Sequence, residues 1–145
     1  MTDALTLIGF GEAGRTFASA AGWKNRASVF DSQTDAPSTR DLMLAAFDQA
    51  EIKTCDSLAD AIRDAPAILS LVTADQSIAA AQQATLHIAP DALYFDMNSV
   101  APDTKRAAAR MIEAAGGHFI DVAIMAPVDP AQMAVPVAGF RTASR

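Results

Sequence analysis

Residues 5–14 read LTLIGFGEAG, an apolar run followed by the spacing G-x-G-x-x-G at Gly9, Gly11 and Gly14. Glycine-rich turns are common, so this spacing alone is a weak signal. Here it lies between an apolar run and a helix-forming segment, where Gly9 permits a tight turn, Gly11 admits a pyrophosphate and Gly14 lets the helix pack closely. The pyrophosphate would bind N–H groups at the start of the helix. The sequence therefore predicts a dinucleotide-binding loop that contains Gly9, Phe10, Gly11, Glu12, Ala13 and Gly14.

Apolar runs and alanine-rich segments alternate along the rest of the chain. The runs predict strands at residues 5–8, 27–30, 67–72, 93–95 and 118–122, and the segments between them predict helices at residues 13–21, 38–50, 57–64, 75–87 and 102–115. Strands that are apolar almost throughout and are joined by helices indicate a mainly parallel sheet covered on both faces. We predict an α/β, doubly wound Rossmann fold.

The C-terminal part of the sequence has a different pattern. Residues 125–136 contain three prolines and are predicted to be irregular, before a last short strand at residues 137–140. Residues 141–145 show no apolar period and are predicted to form an irregular tail. The dinucleotide-binding domain is thus expected to span residues 1–140.

An acidic residue, Asp31, follows the second predicted strand. A carboxylate at this distance from the glycine loop accepts hydrogen bonds from the ribose hydroxyls of NAD and would repel the 2′-phosphate of NADP. Two alternatives remain open: Asp31 could cap a turn, and Arg26 could receive a phosphate. NAD is the predicted cofactor, with NADP less favoured. Glu12 would also repel a pyrophosphate, so we expect it to point to solvent or to pair with Arg15.

Composition and charge exclude several functions. The net charge is −6 and the 11 Lys and Arg residues are scattered, which argues against nucleic acid as a partner. No apolar run approaches the roughly 20 residues that span a bilayer, so no membrane partner is expected. Cys55 is the single cysteine and cannot form an internal disulfide. The N-terminus has no basic segment before an apolar stretch, and a cytoplasmic location is predicted.

Ligands of such sheets bind beyond the carboxyl ends of the strands. Asn98 and Ser99 follow the fourth predicted strand and are the best polar candidates there. Both could equally form a turn and an N-cap before the helix that starts at Pro102.

Four stretches together resemble the β-hydroxyacid dehydrogenases, the family of 3-hydroxyisobutyrate and 6-phosphogluconate dehydrogenases. They are residues 8–14, 57–72, 96–102 and 117–123, of which 96–102 read DMNSVAP and resemble the family's substrate motif. The resemblance implies that Asn98 and Ser99 lie near the nicotinamide and the substrate, and that Val72 and Thr73 flank the cofactor. It further implies an NAD(P)-dependent oxidation of a 3-hydroxy acid by a full-length protein that is a homo-oligomer.

The chain also departs from this family. Where members have Ser-Gly-Gly to hold the substrate carboxylate, the chain has Met125, Ala126 and Pro127, and proline has no N–H to donate. The family's catalytic lysine belongs to an all-α second domain that we expect this chain to lack, so no catalytic residue is predicted within it. Lys105 is expected to be a solvated surface residue.

We therefore expect the 145-residue chain to bind NAD without appreciable turnover. Two other classes stay open on sequence alone: an NAD(H)-binding sensor without catalysis, and an S-adenosylmethionine-dependent methyltransferase.

Overall fold

The computed structural model describes residues 5–19, 26–123 and 140–142. Strands are β1 (Leu5–Ile8), β2 (Ala27–Phe30), β3 (Lys53–Thr54), β4 (Ala67–Ser70), β5 (Leu93–Asp96), β6 (His118–Val122) and β7 (Phe140–Thr142). Helices are α1 (Glu12–Ser19), α2 (Pro37–Gln49), α3 (Leu58–Ile62), α4 (Ser77–Ala84) and α5 (Pro102–Ala114), with short 3-10 turns at Ser32–Thr34 and Ala74–Gln76.

The strands form one sheet in the order β3-β2-β1-β4-β5-β6-β7. The first six are parallel, and β7 is antiparallel to β6. The chain runs outward from β1 to β3 and then returns to place β4 on the other side of β1. This reversal opens a crevice at the carboxyl ends of β1 and β4, where dinucleotides bind in such sheets. The predicted Rossmann fold is confirmed.

Each face of the sheet carries its own core. Leu7 points to the face covered by α1 and α2, where it joins a cluster with Phe10 and Phe47. Ile8 points to the opposite face, where it packs with residues of α3, α4 and α5 such as Ile62. Successive residues of a strand alternate between faces, so a strand buried on both sides must be apolar throughout. Helices cover both faces, as predicted.

Several helix boundaries follow from local signals. Ser57 Oγ accepts a hydrogen bond from the N–H of Asp60 and caps α3. Pro102 occupies the first turn of α5, and Gly116 follows that helix with a φ of 94°. α4 begins at Ser77 because residues 74–76 form a 3-10 turn first, so the predicted start at residue 75 is early.

The two edge strands were not predicted as they are observed. β3 is only Lys53 and Thr54, both exposed, and so has no apolar pattern. β7 includes Arg141 and Thr142, and the predicted irregular tail is wrong at these two positions. They pair with Asp121 and Ile120 of β6 through main-chain hydrogen bonds, which require no apolar period. The described part of the chain does not include residues 20–21 of the first predicted helix, residues 125–139 or residues 143–145.

Among the described residues, no helix has both the length and the apolar character needed to cross a membrane.

Candidate functional site

The three glycines of the loop stand in different surroundings. A Cβ on Gly9 would clash with the Leu71 carbonyl oxygen, and Gly9 has a φ of 97°. A Cβ on Gly14 would lie 2.5 Å from the carbonyl oxygen of Gly9, whereas a Cβ on Gly11 would meet nothing within 4 Å. Gly9 and Gly14 are therefore required by the packing of the loop itself. Gly11 is exposed, and the space beside it is open to a ligand.

The loop is fixed between two strands by main-chain hydrogen bonds. The N–H of Gly9 donates to the Phe30 carbonyl at the end of β2, at 2.9 Å. The N–H of Leu71, just beyond β4, donates to the carbonyl of Ile8 at 2.8 Å. The loop thus begins at a fixed position over the crevice.

Asp31 joins the loop to the end of β2. Its Oδ2 accepts from the N–H of Phe10 at 2.7 Å, and its Oδ1 accepts from the N–H of Gln33 at 2.8 Å. The residue is 8% exposed and lies at the N-cap of the first 3-10 turn, so the capping alternative describes part of its role. A carboxylate offers about four acceptor positions, and two remain for further donors.

Arg26 lies at the other end of β2. It directly precedes Ala27, at the amino end of the strand, while Asp31 follows the carboxyl end. Five residues of extended chain separate the two by roughly 16 Å. A phosphate bound near Asp31 would therefore be out of reach of Arg26, and this alternative is not supported.

A cleft of about 370 Å³ runs along the carboxyl edge of the sheet from Asp31 to Thr73. It brings together seven of the predicted site residues: Gly9, Gly11, Glu12, Ala13, Asp31, Val72 and Thr73. Glu12 is exposed, in line with the expectation that its carboxylate would turn to solvent. The predicted elements thus converge on one cleft.

The other predicted site residues do not line this cleft. The side chain of Phe10 packs edge-on against Phe47, with ring centroids 4.9 Å apart, and only its N–H reaches Asp31. Gly14 is buried beneath Gly9. Asn98 and Ser99 lie further along the sheet edge, after β5.

One wall of the cleft was missed at the sequence level. It is formed by α3, the second 3-10 turn and α4, and consists of Leu58, Gln76, Ala79, Ala80 and Gln83. Alanine and glutamine are ordinary surface residues of helices, so nothing in the sequence distinguishes these positions. Only the packing of α4 beside β4 shows that they face a ligand-sized space.

Asn98 ties the loop after β5 to the loop after β4. Its Oδ1 accepts from the N–H of Val72 at 2.8 Å, and its Nδ2 donates to Ser70 Oγ at 3.1 Å. The side chain is buried, and the N–H of Asn98 donates to Asp96 Oδ1 at 2.9 Å. Asn98 therefore holds the cleft wall at Val72.

Ser99 does not cap the following helix. It is exposed, and α5 begins at Pro102 with Ala101 in the N-cap position, where no side chain caps the helix. The alternative reading of Ser99 as an N-cap is wrong, because two further residues separate it from the helix. Its hydroxyl is on the same loop as Asn98.

Lys105 corrects a prediction. Its side chain is 12% exposed, and Nζ lies 3.1 Å from Asp96 Oδ1 and 2.8 Å from Asp121 Oδ1. Asp96 and Asp121 are direct partners in the register of β5 and β6, where two like charges repel each other. Lys105 on α5 lies between them and supplies the compensating charge. The expectation of a solvated surface lysine is wrong, because sequence did not show that these two carboxylates are neighbours.

Two other titratable groups are buried away from the cleft lining. Burial raises the pKa of Tyr94, and the charge of Asp96 adds to this increase, whereas the Ser70 hydroxyl lowers it. Burial also raises the pKa of the Cys55 thiol, although the positive charge of nearby Lys53 lowers this pKa in part. Both groups stay protonated near neutral pH.

The family relationship follows from a comparison with known protein families. A model of the NAD binding domain of 6-phosphogluconate dehydrogenase matches residues 4–135. The chain belongs to this family. It is an NAD-binding domain, and sheets of this class bind dinucleotides in the crevice where the strand order reverses.

Solved structures share the fold of this NAD-binding domain. A conserved hypothetical protein from Sinorhizobium meliloti 1021 is 34% identical, with a TM-score of 0.81 over 90% of this chain and 44% of that one. A conserved protein of unknown function, described as structurally similar to 3-hydroxyacid dehydrogenases, is 30% identical, with a TM-score of 0.68 over 86% of this chain and 45% of that one. The 3-hydroxyisobutyrate dehydrogenase of Mycobacterium tuberculosis is 15% identical and has a TM-score of 0.74, over 88% and 42% of the two chains.

The NAD-binding domain spans less than half the length of these solved proteins. No curated protein matches it. The family match does not favour the alternatives of a sensor module or a methyltransferase.

Proposed function

We propose that this domain is the cofactor-binding half of an oxidoreductase that transfers hydride between the nicotinamide of NAD and a small 3-hydroxy acid. The observation that carries the proposal is the pairing of the open space at Gly11 with the buried carboxylate of Asp31 in one cleft. These are the two features that a pyrophosphate and an adenosine ribose need. The resemblance of one neighbour to 3-hydroxyacid dehydrogenases supports the substrate class.

In this proposal, NAD has one orientation in the cleft. The pyrophosphate would lie at the N-terminus of α1, against the main-chain amides of Gly11, Glu12 and Ala13. The adenosine ribose would donate hydroxyl hydrogen bonds to the free acceptor positions of Asp31. The apolar lining at Leu58 and Ala80 would then cover the adenine, because α3, which contains Leu58, contacts β2, the strand that precedes Asp31.

The nicotinamide end would extend to the opposite side of the crevice, toward the carboxyl ends of β4 and β5. Val72 and Thr73 line the cleft there, and Asn98 and Ser99 are on the adjacent loop. We propose Asn98 and Ser99 as the substrate-facing residues of this domain. When bound, the nicotinamide supplies the hydride chemistry, and the residues of the chain supply binding and orientation.

Among residues 5–19, 26–123 and 140–142, we assign no proton-transfer residue. Lys105 is held by Asp96 and Asp121, and so does not present a free amine to a substrate. The 145-residue chain is therefore expected to bind NAD without appreciable turnover. A cytoplasmic location and a homo-oligomeric whole protein complete the proposal; the lone Cys55 fits a reducing compartment.

Preference for NAD over NADP is part of the same proposal. The carboxylate of Asp31 would face the 2′-phosphate of NADP, and Arg26 lies at the far end of β2. Like charges at this distance repel, so NADPH should bind more weakly than NADH.

Calorimetric titration with NADH, NADPH and S-adenosylmethionine tests the proposal. NADH should bind most tightly, NADPH at least about tenfold more weakly, and S-adenosylmethionine not measurably. Binding of S-adenosylmethionine in preference to NADH would overturn the assignment. The substrate class is tested separately, by following NADH formation with a panel of 3-hydroxy acids and with 2-hydroxy acids of equal length as controls, on a chain that includes a second domain.

A further inference from the structure

Lys105 is a nearly buried cation that lies outside the lining of the cofactor cleft. Its Nζ contacts the carbonyl oxygen of Asp96 at 2.9 Å as well as the carboxylates of Asp96 and Asp121. Moving a charge from water into the interior to form such contacts has a desolvation cost, and apolar residues of similar volume often stabilise a fold equally well. The packing of α5 alone therefore does not explain a lysine at this position.

A continuous series of hydrogen bonds leads from Lys105 to the cleft. Asp96 Oδ1, which contacts Lys105 Nζ at 3.1 Å, also accepts the N–H of Asn98 at 2.9 Å. The side chain of Asn98 then accepts the N–H of Val72 at 2.8 Å. Val72 is a lining residue of the cleft.

The same oxygen of Asp96 is therefore shared by the lysine and by the loop that contains Asn98. The Asp96 side chain is 1% exposed, so no solvent competes for this oxygen. Two donors on one carboxylate oxygen fix its rotamer, and the fixed carboxylate in turn fixes the main chain at Asn98. Ser70 completes the arrangement, because its Oγ accepts from Asn98 Nδ2.

We propose that Lys105 is a positioning residue that acts through Asp96 to hold Asn98 and Val72 at the nicotinamide end of the cofactor cleft. The inference rests on the proposed function, in which the nicotinamide lies on the β4 and β5 side of the crevice. The adenosine side of the cleft, at Asp31, follows β2 and is not part of this series of contacts.

This difference between the two ends supplies a test. Lys105→Met should weaken NADH binding by about five- to tenfold while leaving the affinity for ADP-ribose, which lacks nicotinamide, within about twofold. Lys105→Arg keeps the charge and should restore most of the NADH affinity. Arg106→Met is the matched control on the same helix, because Arg106 is exposed and pairs only with Asp103 among the described residues. Its affinities for both ligands should stay unchanged.

A purely structural role for Lys105 would lower the melting temperature and weaken both ligands equally, which would overturn the inference. Because Lys105→Met leaves two carboxylates without their cation, a second variant acts at the far end of the series. Ser70→Ala is a small change that removes the acceptor of Asn98 Nδ2, and it should produce the same selective loss of NADH affinity. An equal loss for both ligands, or no loss, in this variant counts against the inference.

The unmodified chain separates this inference from the proposed function. If it binds NADH and ADP-ribose equally well, nicotinamide makes no contact that Lys105 could position, and the inference fails while the proposed function stands. If it binds neither ligand, the proposed function fails as well.

Discussion

The N–H of Phe10 donates a hydrogen bond of 2.7 Å to Oδ2 of Asp31, so the glycine loop is fastened to the carboxylate that we assign to the ribose. The two residues are 21 positions apart in the chain. Since Oδ1 also accepts from Gln33, the carboxylate cannot rotate without losing two hydrogen bonds. Asp31 is thus held in place before any ligand arrives, which lowers the entropic cost of binding one.

Asp31→Asn should affect both stability and cofactor choice. Either orientation of the amide places an NH₂ against one of the two main-chain N–H donors, at a cost of about 1–3 kcal/mol in the free energy of unfolding. Loss of the charge should also narrow the difference in affinity between NADH and NADPH. Urea unfolding and calorimetric titration measure the two effects.

Asp35→Asn is the matched control for this substitution. Asp35 is exposed and follows the same 3-10 turn, so its amide can reach water. The Asp35→Asn variant should have the same free energy of unfolding in urea as the unmodified chain. If Asp31→Asn behaves like Asp35→Asn in both measurements, the proposed role of Asp31 is wrong.

The glycines of the loop should separate folding from binding. Gly11→Ala adds a methyl group into open space, so the free energy of unfolding should change by no more than about 0.5 kcal/mol. The same methyl group would occupy the approach of the pyrophosphate, and NADH affinity should fall at least about tenfold. Gly14→Ala places a Cβ against the carbonyl of Gly9 and should cost about 1–3 kcal/mol of stability. Normal NADH binding by Gly11→Ala would show that no phosphate approaches there.

Tyr94 should make the protein sensitive to alkaline pH. Its pKa is raised in the folded state by burial, so the unfolded chain releases this proton at a lower pH than the folded chain. The contribution of Tyr94 to the free energy of unfolding is fully present below the ordinary tyrosine pKa. Above pH 10 this contribution falls by about 1.4 kcal/mol per pH unit. The measurement is urea unfolding between pH 8 and 11, with Tyr94→Phe as the control that should show a shallower decline.

Tyr94 is the single tyrosine in the chain, so tyrosinate absorbance reports on it alone. The absorbance should rise only together with loss of the far-ultraviolet circular dichroism signal. A rise near pH 10 in a chain that is still folded would show that Tyr94 reaches solvent in the native state.

Cys55 should react slowly with thiol reagents. It is 7% exposed and its pKa is raised by burial, so at pH 8 little reactive thiolate is present in the folded chain. Labelling in native buffer should be at least about tenfold slower than labelling in urea. Since Cys55 lies in the core that α3 and α4 share, equal rates in both conditions would mean that this core opens readily.

The fold could be predicted from sequence to the extent that buried strands show apolar runs. β1, β2 and β6 begin and end at the predicted residues because both faces of these strands pack against apolar neighbours. β3 and β7 are edge strands held by main-chain hydrogen bonds, which leave no pattern in the side chains.

The placement of candidate site residues could be predicted where a local pattern fixes the backbone. Gly9 has a positive φ, and Asp31 follows β2 beside the loop, so the sequence pattern could locate both residues. Lys105 could not, because its partners Asp96 and Asp121 come from strands whose register is fixed only in three dimensions. No sequence pattern marks the alanines of α4 as cleft residues either, since they face the cleft only because of how that helix packs.

The central position of β1 affects how the protein is made. Leu5 pairs with Ala27 on one side and with Ala67 on the other. A chain emerging from the ribosome can therefore join β1 to β2 early, but it must hold the other edge of β1 open until β4 has been synthesised. During that interval the glycine loop and Asp31 exist without the opposite wall at Val72, so NAD should stabilise the nascent domain most strongly after that wall has formed.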